Sequence, residues 1–264
     1  MAIVTLSKRT FSGAGELAEC LSRELDYTLV SRDDIIEKTA GYGMSKDRLY
    51  RARSRRLGFS HRMDLGWLHF LIYARAALSK EIRQGNLVYV GDNGRALLHD
   101  FPNVLSVHIA ADMEYRIDSL VRRTDYVINQ KKARRLIEKI DEKVDRWQRT
   151  ICVEGWNDDS EYDLVVQLEL MSISDGCDLV RSTLEQPRFQ TTTKSLETID
   201  LLTVASELRA RIAIRGGVVD SDIEVEARDG VIFVTGRVQS TEDVEEIAAL
   251  VNRLPEAPGV GGYD

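Results

Sequence analysis

The chain reads as an α/β protein: a parallel five-stranded sheet flanked by helices, followed by a smaller α-β-β-α unit. Three observations predict this. Short apolar runs alternate with longer stretches of helical spacing through about residue 181. Runs such as Leu87-Val88-Tyr89-Val90 are continuously apolar, as expected of strands buried on both faces. Past residue 199 the pattern changes to strict alternation, Ile223-Glu224-Val225-Glu226-Ala227, then Arg228-Asp229-Gly230 and a second run at 231–235. Asp-Gly between two such runs signals a hairpin.

In chain order, Ile3-Val4-Thr5-Leu6 is the first strand, and Ser12-Gly13-Ala14-Gly15 is a turn of small residues. A helix follows, with Leu17, Cys20, Leu21 and Leu25 near helical spacing. Strand, glycine turn and helix form a layout that cradles phosphates, because backbone N–H groups and the positive end of the helix face the anion. The full signature, G-x-x-x-x-G-K-[ST], is absent. A turn that merely needs small residues explains the stretch equally simply.

Thr28-Leu29-Val30 is the second strand, and residues 31–34 are expected to cap a helix starting at Ile35, which Gly41 and Gly43 end. Residues 46–62 hold seven cations, Lys46, Arg48, Arg51, Arg53, Arg55, Arg56 and Arg62, against the single acid Asp47. Two readings stand: a solvated helix face, or an anion-binding flap whose guanidinium forks match phosphate oxygens. A buried helix is expected at 67–82, strands at 87–90, 104–110 and 163–168, and helices from Asp112, over 130–150 and over 174–180. The strand at 87–90 runs into Gly91-Asp92-Asn93-Gly94, and ligands of open α/β sheets gather beyond such strand ends. Residues 182–198 are polar, hold a proline and lack periodicity, which predicts an extended linker between a domain at 1–181 and one at 199–264. Helices are expected at 201–214 and 241–254.

The totals narrow the class. Composition is 43% hydrophobic and 30% charged, ordinary for a globular chain. No apolar run approaches the roughly 20 residues of a membrane span, and the N-terminus has a strand pattern rather than a leader pattern. Cys20, Cys152 and Cys177 are far apart in sequence, suggest no disulfide framework and fit a reducing cytoplasm. The histidines His61, His69, His99 and His108 form no metal-ligand pattern, so no metal site is expected, and His108 is read as structural. The net charge of −7 resides in residues 199–264, which hold 13 acids and 6 bases. The rest is neutral, a balance that excludes a general nucleic-acid binder.

The order of elements carries two resemblances. Ser7-Lys8, Glu16-Leu17-Ala18, Arg32, Val90-Gly91, Pro102-Asn103-Val104, Glu114-Tyr115-Arg116, Asp141, Gly155-Trp156 and Tyr162-Asp163-Leu164 together resemble the cytidylate kinase-like family over 1–181. That resemblance implies a P-loop kinase fold, ATP with Mg²⁺ as donor, and a pyrimidine nucleoside monophosphate as acceptor. It implies phosphate binding at Ser12, Gly13, Ala14 and Gly15, and acceptor binding at Arg32, Arg51, Arg55, Gly91 and Asp92. The chain departs from the family pattern at several points. Phe11 and Ala14 replace loop glycines, Gly15 stands where a cation is expected, and Asp92 replaces an arginine after the central strand. Val144 stands at the basic position after Asp141, and Gln167-Leu168-Glu169 replaces Asn-Thr-Ser. Lys8, Arg146 and Arg149 are the catalytic candidates, with Arg9 and Arg95 as further cations close to the motifs.

Asp222-Ile223-Glu224-Val225, Asp229-Gly230-Val231-Ile232, Thr235-Gly236-Arg237-Val238 and Pro258-Gly259-Val260 resemble a BON domain. That likeness implies ligand or phospholipid binding, although an acidic module is repelled by anionic lipid. It also points to a protein partner or self-association through this module. Three functions follow as expectations: an active nucleoside-monophosphate kinase, a catalytically silent nucleotide- or anion-sensing protein, and a BON-mediated interaction protein.

Overall fold

The computed structural model describes residues 1–43, 65–91, 94–123, 129–151, 162–214, 223–238 and 240–253. Its contacts divide it into two compact units: Met1–Arg32, Gly85–His99 and Asn103–Gln190 form the first, and Asp33–Gln84, Asp100–Pro102 and Thr191–Asp264 the second. This division follows contact rather than sequence pattern. It groups residues 33–84 with the C-terminal stretch instead of with the sheet.

The first unit is built on five parallel strands in the order β2-β3-β1-β4-β5, as the apolar runs predict. These are β1 (Ile3–Lys8), β2 (Thr28–Ser31), β3 (Leu87–Val90), β4 (Val104–Ala110) and β5 (Leu164–Gln167). Helices α1 (Ala14–Leu25) and α7 (Ile173–Leu184) belong to one core with them. Val4, Leu6, Val88, Val90, Leu105, Val107, Ile109 and Val166 meet Leu17, Ala18, Leu21, Val180 and Leu184 there. Full burial of each large aliphatic side chain contributes about 1.5–3 kcal/mol. The short α4 (Gly94–Leu98) follows β3, and α5 (Met113–Arg123) pairs with α6 (Gln130–Ile151) through Ile117, Leu120, Ala133 and Ile137. Asp112 caps α5, accepting from the Tyr115 N–H at 2.7 Å.

In the second unit α2 spans Arg32–Thr39, begun by a residue of the first, and a 3₁₀ turn covers Ala40–Tyr42. The helix starts at Arg32 rather than Ile35. Asp33 and Asp34 therefore lie inside its first turn, at the positive end of the dipole, instead of capping from outside. Helix α3 (Leu65–Gln84) packs along α8 (Thr193–Ile214). The Thr203 hydroxyl donates to the Ser79 carbonyl at 3.3 Å, Arg75 Nε donates to Ser206 Oγ at 3.1 Å, and Lys80 pairs with Glu207 at 3.1 Å. The hairpin β6 (Ile223–Arg228) and β7 (Val231–Gly236) turns at Asp229 and Gly230, both at positive φ, as Asp-Gly predicts. With α9 (Thr241–Val251) it closes a small core of Leu208, Ile212, Ile223, Ile232, Ile247 and Leu250.

Residues 182–198 are not an extended linker. They hold the end of α7, a 3₁₀ turn at Pro187–Phe189 and the first turns of α8. Leu184 and Phe189 anchor the stretch in the sheet core, although they follow no regular period. Thr192 and Ser195 exchange hydrogen bonds of 2.9 and 3.0 Å at the start of α8. Among the described residues no helix is long and apolar enough to cross a membrane.

Candidate nucleotide-phosphate site

The turn between β1 and α1 contains two left-handed residues, Phe11 at φ 63° and Gly13 at φ 87°. A non-glycine residue in that region costs about 1–2 kcal/mol. Phe11 is partly buried and packs against the α5–α6 cluster of Ile117, Leu120, Ala133 and Ile137. Gly13 is required twice over, by its φ and by space, because a Cβ there would lie 2.8 Å from Leu168 Cδ1 and 3.0 Å from Tyr115 Oη. Gly15 is the opposite case, with nothing within 4 Å of a built Cβ.

The turn is tied to α5 and α6 by charge. Arg116, 5% exposed, donates through Nε to the Thr10 carbonyl at 2.7 Å, and its Nη2 donates to both Asp141 carboxylate oxygens at 2.6 and 2.8 Å. Arg9 pairs with Asp145 at 2.8 Å, and Arg123 pairs with Glu16. Burial opposes the Glu16 charge, but Arg123, the residue's own backbone N–H and the Lys8 charge outweigh it and hold the carboxyl below the ordinary glutamate range.

The start of α1 is the end of the helix that favours negative charge. Gly13 caps the helix without a side chain, so the first-turn N–H groups receive no side-chain cap. Ser12 is 1% exposed, and its hydroxyl finds no hydrogen-bond partner among the described residues. A buried, unsatisfied hydroxyl beside a helix N-terminus suits an anionic oxygen or a cation-bound phosphate. Such an arrangement offers hydrogen-bond donors to an oxyanion; it supplies no nucleophile of its own.

The sequence-derived residues are distributed unevenly. Ser12 and Gly13 close the turn, Ala14 and Gly15 open α1, and Lys8 ends β1 within electrostatic reach of Glu16. Arg9 is engaged by Asp145 rather than left for a ligand. Arg146 is exposed on α6 and Arg32 opens α2. Gly91 directly follows β3 against the Tyr89 ring, since a Cβ there would lie 2.6 Å from Tyr89 Cζ. Arg51, Arg55, Asp92 and the whole 46–62 cluster lie outside the described residues, as does the Arg149 side chain. No group of three or more His, Cys, Asp and Glu suited to a metal occurs among the described residues. Asp141 and Arg116 stand out in the sequence as landmarks, but their pairing and the support from Phe11 and Asp145 are visible only in the fold. No periodic signal links positions this far apart in the chain.

A family model described as the cytidylate kinase-like family matches residues 3–170, and a BON domain model matches residues 200–260. No curated protein matches the chain by sequence. Among solved structures, an uncharacterised protein from Eubacterium ventriosum is 18% identical with a TM-score of 0.55, covering 70% of this chain and 98% of its own. A shikimate kinase from Bacteroides thetaiotaomicron (10% identity, TM-score 0.45, 70% of this chain and 99% of its own) is also similar. So is a gluconokinase from Sinorhizobium meliloti (10% identity, TM-score 0.42, 69% of this chain and 91% of its own). The first of these supports the shared fold; the other two score too low to carry an argument. With the parallel sheet, the turn before α1 and a family match over more than half its length, the chain belongs to the cytidylate kinase-like family.

Proposed function

We propose that this kinase-like chain binds the phosphates of ATP at the turn between β1 and α1, and transfers the terminal phosphoryl group slowly to a pyrimidine nucleoside monophosphate. The observation that carries the reading is the Ser12 hydroxyl, buried and without a partner among the described residues, beside the uncapped start of α1. Ser12 with the amides of Gly13, Ala14 and Gly15 would hold the phosphate chain, and Mg²⁺ would meet the Ser12 hydroxyl. Lys8 and Arg146 are the charges offered to the moving phosphoryl group, with Arg32, Arg51 and Arg55 for the acceptor. Phosphoryl transfer depends mainly on positioning and on cancelling oxygen charge. Gly15 in place of a cation, and Arg9 and Arg116 already paired to Asp145 and Asp141, support slow turnover.

The same pairings favour a second reading, a silent nucleotide sensor. Calorimetric titration with ATP–Mg²⁺, CMP and dCMP, run beside a coupled assay of ADP release, separates the two. Binding with turnover above a Ser12→Ala control supports the kinase, and binding alone supports the sensor. Failure of every nucleotide to bind sinks both and leaves the BON-like module as the carrier of function.

A further inference from the structure

Cys20 and Cys177 are 157 positions apart in sequence, the difference of their residue numbers, yet in the fold the Cys20 side chain is a hydrogen-bonding neighbour of the Cys177 thiol. Both belong to the core in which α1 and α7 meet. The helices approach closely at this level: a Cβ built on Gly176 would sit 3.5 Å from Leu17 Cδ1, and Leu17 lies one turn before Cys20. Cys20 is half-buried, while Cys177 is 3% exposed. Arg23 reaches over Cys20 from the solvent side, its guanidinium donating toward Sγ at 3.9 Å. Burial first, then Cys20 and the charges of Glu24 and Asp178, push the Cys177 thiol up to about 12. One thiol is therefore accessible beside a cation, and its neighbour is sheltered and protonated.

We propose that Cys20 and Cys177 form a thiol–disulfide exchange site, with Cys20 as the attacking sulfur, Cys177 as the resolving sulfur and a small-molecule disulfide such as oxidised glutathione as the co-reactant. In the first step the Cys20 thiolate attacks one sulfur of the disulfide. The new S–S bond joins Cys20 to a glutathionyl group, and one glutathione leaves as thiolate. In the second step Cys177 attacks Cys20 Sγ, the mixed disulfide breaks, and the Cys177 proton passes to the departing glutathione. The balance is one disulfide reduced to two thiols and two protein thiols oxidised to one disulfide. Because the Cys177 proton is strongly held, the second step is the slower one. The product ties α1, the helix that follows the phosphate turn, covalently to α7.

The test uses the full chain carrying Cys152→Ser, which removes the third thiol, a residue outside the described ones. The protein is incubated with oxidised glutathione and followed by intact mass and peptide mapping. Loss of two hydrogens, a linked Cys20–Cys177 peptide and a rise in melting temperature reversed by dithiothreitol are expected. Adding Cys177→Ala should arrest the reaction with one glutathionyl group on Cys20, and adding Cys20→Ser should abolish it. A glutathionyl group that persists on Cys20 while Cys177 is intact overturns the proposal, as does no reaction at Cys20, or unchanged reaction of Cys177 in the Cys20→Ser protein. Should Cys177→Ala not fold, the mapping of the parent and of Cys20→Ser, whose site is half-exposed, still decides.

Discussion

Strands β1 and β3 lie side by side, Leu6 beside Val90, and glycines follow both. Their ends are used in opposite ways. At the end of β3 the Tyr89 ring, 2% exposed, fills the space beside Gly91 and Gly94, where a Cβ on Gly94 would also lie 2.8 Å from Thr5 Cβ. At the end of β1 Gly15 faces open space, and Ser12 keeps a buried hydroxyl without a partner among the described residues. A glycine after a parallel strand is thus a packing device in one place and, in the other, faces open space close to a buried hydroxyl. The neighbouring side chains decide which.

Four experiments would break or sharpen this contrast. The largest effect is expected from Arg116→Ala, which leaves Asp141 unpaired and the Thr10 carbonyl without its donor. Breaking a buried pair of this kind costs about 3–5 kcal/mol, read as a shift in the urea midpoint. A loss no larger than that of an exposed pair would mean that the turn does not depend on α5 and α6.

Gly91→Ala comes next, because the new methyl group must displace the Tyr89 ring. Overpacking of this sort costs about 1–3 kcal/mol. Gly15→Ala, in open space, should stay within about 0.5 kcal/mol of the parent. Equal losses at the two glycines in thermal denaturation would erase the contrast between the strand ends.

Ser12→Ala should stabilise the empty protein by about 1 kcal/mol, since an unsatisfied buried hydroxyl is removed, while weakening ATP binding several-fold in calorimetry. Gly15→Lys, for which there is room, should strengthen ATP binding with little change in melting temperature. Opposite signs for stability and affinity at Ser12 are the mark of a ligand socket. A parallel loss of both would make Ser12 an ordinary structural residue.

The smallest effect concerns acid. The Glu16 carboxyl is held below its ordinary range in the folded chain. Its contribution is therefore present above the unfolded glutamate value, near pH 4.5, and fades as pH falls through the folded value. Glu16→Gln should flatten the acid limb of the stability profile slightly. A profile unchanged by the substitution would mean that Arg123 and Lys8 do not act on this carboxyl.

What could be read from residue order alone was whatever depends on near neighbours. Continuous apolar runs marked the parallel strands, Asp229-Gly230 marked the hairpin turn, and the small residues of 12–15 marked the start of α1. These signals are local because strand and turn preferences act over a few residues. Helix from Thr193 was missed because Leu184 and Phe189 anchor the preceding stretch without a period, so the polar residues around them masked the core contacts. The pairing of Arg116 with Asp141, the left-handed Phe11 held by the α5–α6 cluster, and the meeting of Cys20 with Cys177 were decided by tertiary structure only. Each joins residues that the chain separates widely, and the path of the helices around the sheet brings them together. The path also matches Arg9 and Arg116, alike in sequence to any other arginine, to Asp145 and Asp141 once α6 is in place.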